Sequence, residues 1–240
     1  MKKIIALTVL LFSHWVYADD GLKAYWDAAQ ELQQQIEQKS AFGSFSVISD
    51  SKAVHSFSII SDHERFLLKR KYELKDIEEL RLVCRKNTEL YVSYMLLGEK
   101  EVKNPIAYQD EMMALSSFGV RCAAQVALLA WDSLRNEEVS EMRQQGVMEI
   151  KERVLNIYKV TLQGLGLVEI DNANKLRLAK ALAESSEQYL PFISLNDRSG
   201  MIASIKRVQK ASAPDVSRQL DKVITTLSSK ECGWACQLEM

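Results

Sequence analysis

The chain has 240 residues, with 31 Lys and Arg against 32 Asp and Glu and a net charge of −1. That balance excludes the basic field on which nucleic-acid binders and polybasic membrane binders rely. Nine glycines and three prolines are too few for long loops or a β-rich architecture, so the composition predicts an all-α protein.

Residues 1–18, MKKIIALTVLLFSHWVYA, have the layout of a secretory signal peptide. Lys2 and Lys3 form a basic n-region, Ile4 to Phe12 an apolar h-region, and Val16 and Ala18 place small residues at −3 and −1 before Asp19. The apolar run is shorter than the roughly 20 residues a membrane span needs, and no stop-transfer segment comes after it. Position 19 is Asp rather than Cys, so neither a lipid attachment nor a stable membrane anchor is expected. Cleavage after Ala18 gives a mature, periplasmic Asp19–Met240 in an oxidising compartment, with a net charge near −3 once the two lysines are gone. That length suits a single helical domain burying roughly 70% of its unfolded surface.

Asp19 and Asp20 are N-cap candidates for a first helix reaching about Ser40. Its inward stripe is Leu22, Tyr25, Trp26, Ala29, Leu32 and Ile36, at three- and four-residue spacing. Residues 41–60 are less regular and fit either a short hairpin or two short helices parted near Asp50, the helical context favouring the second. Ser61-Asp62-His63-Glu64 fits a capping box with Ser61 as N-cap. Helical period then runs through Ile77, Leu80, Val83, Cys84, Tyr91, Tyr94 and Met95 to Leu97, with Gly98 suited to terminate it.

Asn104-Pro105 reads as a cap followed by proline at the first helical position. Residues 105–134 form one bent helix or two, with Gly119 the weak point. FGVRCAAQVALLAW within it is apolar on nearly every face except at Arg121 and Gln125, the pattern of a central helix. Asn136 with Glu137 and Glu138 starts the next helix, its inward stripe Val139, Met142, Gly146, Ile150, Val154, Ile157 and Thr161, ending near Gly164 and Gly166. Asp171 caps another that stops at Pro191, Ser199 starts one more, and Ala213-Pro214-Asp215 opens the last. The expected fold is a compact bundle of seven to nine helices without internal repeats.

All four cysteines, Cys84, Cys122, Cys232 and Cys236, lie in the mature part. An even count in an exported chain predicts two disulfides with three possible connectivities. The short spacing of CGWAC favours Cys232–Cys236, which leaves Cys84–Cys122 to tie two helices. A redox role is disfavoured because the spacing is C-x-x-x-C rather than C-x-x-C at a helix start. Trp234, held within that clip, is a candidate partner contact, since Trp is enriched at binding hot spots.

No catalytic, cofactor-binding or metal-binding residue is predicted. The mature chain holds only His55 and His63. Asp62-His63-Glu64 resembles an acid/base or metal cluster, yet successive helical residues point in different directions and do not converge. No G-x-S-x-G, H-E-x-x-H or phosphate-loop motif occurs, and Gly164 and Gly166 come after a helix rather than a strand. The acids Glu137, Glu138, Glu141, Glu149 and Glu152, like Lys206, Arg207 and Lys210, read first as solvated helix faces.

The signal peptide, helical mature chain, cysteine pairs and lack of catalytic motifs together resemble the periplasmic immunity proteins that bacteria pair with type VI secretion effectors. The resemblance implies a binding protein rather than an enzyme, whose partner is a cognate secreted toxin and whose interface blocks the toxin's active site. The competing expectations are a cell-envelope hydrolase using a carboxylate pair and an envelope assembly or chaperone factor.

Overall fold

The computed structural model describes residues 20–40, 51–104, 106–135 and 140–238, and every regular element among them is helical. In chain order these are α1 (Asp20–Ser40), α2 (Ser51–Ile60), α3 (Ile77–Val102), α4 (Gln109–Leu134), α5 (Glu141–Gly166), α6 (Asn172–Tyr189), α7 (Leu195–Gln209), α8 (Pro214–Leu227) and the single-turn α9 (Trp234–Gln237). A π-type turn at Glu64–Leu68 and tighter turns at Leu74–Asp76 and Leu190–Phe192 complete the set. The all-α, disulfide-supported expectation is met. The expected signal peptide, the irregular stretch 41–50 and the expected helix start at Asn136 to Val139 fall outside the described residues.

Packing radiates from α4. It lies between α3 and α6; α1 joins α3 to α2, α6 carries α8, and α5 packs on α6 and α7. By length and composition α4 would cross a bilayer, but here its apolar surface is spent on neighbours: Leu115, Phe118, Cys122 and Ala127 are all buried. Such a helix is apolar on most faces because it is covered on most faces. At the periphery the stripes narrow. On α8, Val216, Leu220, Val223 and Leu227 recur at helical spacing and are all buried, each contributing about 1.5–3 kcal/mol by leaving water.

Several helix ends differ from the sequence expectation, each for a local reason. Ser61 does not cap the turn at Glu64–Leu68: its hydroxyl donates to Phe57 O at the end of α2, and Asp62 accepts from Arg65 N instead. Helix α3 runs through Gly98 and ends with Lys103 in the left-handed region, where Asn104 N donates back to Gly98 O. Gly98 is needed for closeness, not for a positive φ: a Cβ there would sit 2.6 Å from Asn104 O. Asn104 caps a turn through Ile106 N, and α4 begins later, at Gln109. The weak point expected at Gly119 does not break α4; the residue lies under Asn87, whose Oδ1 would be 3.2 Å from an added Cβ. Ser199 lies inside α7, whose N-cap is Ser194 accepting from Asp197 N. Asp171, by contrast, caps α6 as expected, accepting from Asn174 N.

Disulfides Cys84–Cys122 and Cys232–Cys236 form at Cα separations of 5.7 and 5.2 Å. The first joins α3 to α4; the second closes the C-terminal clip. That clip is held by two buried cations. Arg198 donates to the carbonyls of Leu190, Ile193, Ser229 and Glu231. Lys151 of α5 donates to Leu238 O and pairs with Asp197. Burial draws the Arg198 guanidinium's pKa down from its usual value, with Tyr158 and Glu231 opposing it. A charge in the interior persists when hydrogen bonds surround it, and here backbone carbonyls supply them.

Candidate functional site

Two concave surfaces stand out. The first is a groove of about 690 Å³ with α4 as floor and α3 and α5 as walls. Its floor is built from Ala123, Val126, Ala127 and Ala130, which lie along one face of α4 and keep that face low because their side chains are small. Ile77 and Leu82 form one wall and Ile150 and Ile157 the other. Glu78, Arg81, Arg85, Glu149 and Arg153 make up a mixed rim. Arg81 pairs with Glu78 at 2.9 Å, and Arg85 reaches Glu89 at 3.7 Å.

This groove corrects the expected inward stripe of α5. Val154 and Thr161 are buried as predicted, but Met142 is 83% exposed, and Ile150 and Ile157 are only partly covered. Around a helical wheel Met142, Gly146, Ile150, Ile157 and Val160 share a face, of which Gly146, Ile150 and Ile157 line the groove. A Cβ added at Gly146 would meet nothing within 4 Å. Across the groove Leu82 is 44% exposed. Cys84 lines the same wall, so its bridge to Cys122 fixes wall to floor.

The second surface is a cleft of about 700 Å³ between α4 and α6, roofed by the end of α2 and the turn after it. His63 lines it along with Asp110, Ser117 and Arg121 from α4, and Arg177 and Lys180 from α6. Arg121 is buried; its Nη2 lies 2.6 Å from Glu184, its Nε donates to the same carboxylate, and its Nη1 donates to Ser117 O. Asp110 accepts from Asn174, and Arg177 donates to Asp110 O and Asn174 Oδ1. Burial first, and then the Arg121 guanidinium, lower the His63 pKa from its ordinary value, with Glu184, Glu64 and Asp62 opposing them. His63 is therefore chiefly neutral at physiological pH.

The expected site residues are scattered over the molecule. The four cysteines are all paired. Trp234 is half-buried, its indole 6.3 Å from the ring of Trp131, with Nε1 buried and unpartnered. Asp62, His63 and Glu64 take separate tasks: Asp62 caps Arg65, Glu64 pairs with Lys69, and His63 enters the cleft. Among the described residues, no three His, Cys, Asp or Glu side chains cluster as a metal site would require. Of the acidic and basic helix faces, Glu141, Glu149, Glu152, Lys206, Arg207 and Lys210 are exposed; Glu137 and Glu138 lie outside the described residues.

Sequence reasoning passed over Ser117, Arg177, Lys151 and Arg198. One signal was present: Arg121 interrupts an apolar face, and such an interruption marks a paired buried charge. Compared with protein-family models, characterised proteins and solved structures, the chain matches none.

Proposed function

We propose that this chain is an exported binding protein of the periplasm, an immunity protein that inhibits a toxic secreted effector. The α3–α4–α5 groove is its docking surface. The observation that carries this reading is the uncovered apolar face of α5 opposite Leu82, above a floor of small side chains. Amphipathic helices normally bury such a face, and one left open over a formed groove is suited to a partner helix.

Export is supported by the two disulfides, which are at home in an oxidising compartment, and by the signal-like leader. Rim charge selects the partner's chemistry. Both walls carry both signs, Glu78, Arg81 and Arg85 on α3 and Glu149 and Arg153 on α5, so the occupant is a helix of the effector with an apolar ridge and charged flanks. Because Cys84–Cys122 holds one wall on the floor, little ordering is needed at the moment of binding, and preorganisation of this kind favours tight complexes. Inhibition asks no chemistry of the inhibitor; it needs only a rigid surface that covers the effector's catalytic centre.

The test begins with mature Asp19–Met240 recovered from the periplasm together with its stoichiometric partner. That partner should be toxic when exported alone and harmless when co-exported. Leu82→Glu and Ile157→Glu should each weaken the complex at least about tenfold, as burial of an unpaired charge does, while far-ultraviolet dichroism stays unchanged. A partner that is not toxic, or one bound equally well by both variants, would refute the reading.

A further inference from the structure

The α4–α6 cleft is separate from the groove and has a different character. Three observations converge on it. Ser117 Oγ, on a side chain only 2% exposed, lines the cleft with no hydrogen-bond partner. A buried hydroxyl left unmade is costly, so on a residue of the cavity wall it marks a place where something else completes it. Next, the charges do not cancel. Arg121 is balanced by Glu184. Of the remaining lining groups, Arg177 and Lys180 face the single carboxylate of Asp110, and one Asp110 oxygen is already held by Asn174. Arg177's own hydrogen bonds go to neutral oxygens, those of Asp110 O and Asn174 Oδ1. Within the lining itself the cations thus exceed the carboxylates by one, while Asp62 and Glu64 act on His63 from outside it. Finally, the cleft wall is half apolar, with Phe57, Phe118 and Leu176 beside the polar groups.

We infer that this cleft binds a small amphiphilic anion with one carboxylate or phosphate head and an apolar body. The head is held by Ser117 Oγ, Arg177 and Lys180, and the body lies on Phe57, Phe118 and Leu176. A volume of about 700 Å³ is of the size that holds small organic ligands. Ser117 donates its proton to the anion, and the two cations supply charge-assisted bonds, the stronger kind. His63, on the same lining, adds a ring N–H donor. Asp110 sets the limit: it repels a second negative group, so the ligand carries a single anionic head.

The decisive experiment titrates isotope-labelled Asp19–Met240 with octanoate, octyl phosphate and neutral octanol, following amide shifts by NMR. Saturable shifts in α4 and α6 are expected with octanoate or octyl phosphate, the tighter of the two naming the head group. Octanol should bind at least about tenfold more weakly, and the R177Q/K180Q double variant should lose a similar factor for the acids. Equal binding of octanol, indifference to the double variant, or no saturation by either acid would overturn the proposal. Ser117→Ala gives an independent check. It should fold with unchanged or higher Tm, because it removes an unpartnered hydroxyl, and yet bind the acid about fivefold or more weakly. A lowered Tm would mean the hydroxyl already has its partner within the fold, and the site would fall.

Discussion

At the scale of single residues the interior of this helical protein is tuned by a few buried polar groups. Glu111 is the clearest. It lies in the first turn of α4, where the helix dipole favours a carboxylate, but it is buried. Burial outweighs the favourable backbone contact, and its pKa is raised, with Asp110 adding to the effect. Its field also reaches Tyr94, whose buried hydroxyl has no hydrogen-bond partner. Linkage sets the sign of the stability effect: the folded state keeps a proton that the unfolded chain has released. Stability from this group is therefore complete below the ordinary carboxyl value near 4.5 and is lost as pH rises through the raised folded value. Glu111→Gln should remove that loss. Thermal midpoints measured from pH 4 to 8 should coincide at the acid end and separate upward for the variant; parallel curves would sink the argument.

At the scale of elements, the C-terminal clip shows how a buried charge stands in for a larger core. Segment 229–238 packs through Trp234, Ala235 and Leu238; Arg198 gathers it by donating to Ser229 O and Glu231 O while gripping Leu190 O and Ile193 O on the other side. Arg198→Met would fill similar space and leave those four carbonyls short of a donor. A loss of about 3 kcal/mol or more in urea denaturation is expected, since each buried carbonyl left without a donor costs about 1–3 kcal/mol, with new protease cleavage confined to the clip. Arg198→Lys, which keeps the charge but not the fork, should fall between parent and Met. If Met and parent unfold alike, the carbonyls have other partners. This is also the scale at which the sequence was most and least legible. Stripes such as Leu22, Tyr25, Ala29 and Leu32 announced α1, and Asp171 announced α6, because period and capping are local properties. The end of α3 was not legible at Gly98, since what that glycine accommodates is Asn104 O six residues on. The stripe of α5 was found, but period reports which face is apolar and not what covers it, so Met142 was expected inside. The cleft as a whole was hidden: Ser117, Arg177 and His63 meet only where α4, α6 and the turn after α2 pack together, and no spacing in the chain encodes that meeting. Arg198, set among Asn196, Asp197 and Ser199, looks like any charge on a solvated face.

For the molecule as a whole, the two disulfides play unequal parts, and the difference connects folding to the shape of the groove. Cys84–Cys122 closes a sequence separation of 38 residues and Cys232–Cys236 one of 4. Chain-entropy arithmetic gives the first about 4 kcal/mol and the second about 2 kcal/mol. The first also carries geometry, because Cys84 lies in the groove wall and Cys122 in the buried face of α4. Without the bridge, α3 still packs closely on α4 and keeps Leu80, Val83 and Leu90 buried, so the fold survives while the wall breathes. The C84S/C122S variant should therefore lose about 4 kcal/mol in urea and show faster amide exchange in the first turns of α3. The C232S/C236S variant should lose less and leave α3 exchange unchanged. Equal exchange in both variants would mean that helix packing alone shapes the groove and that the bridge adds stability without shape.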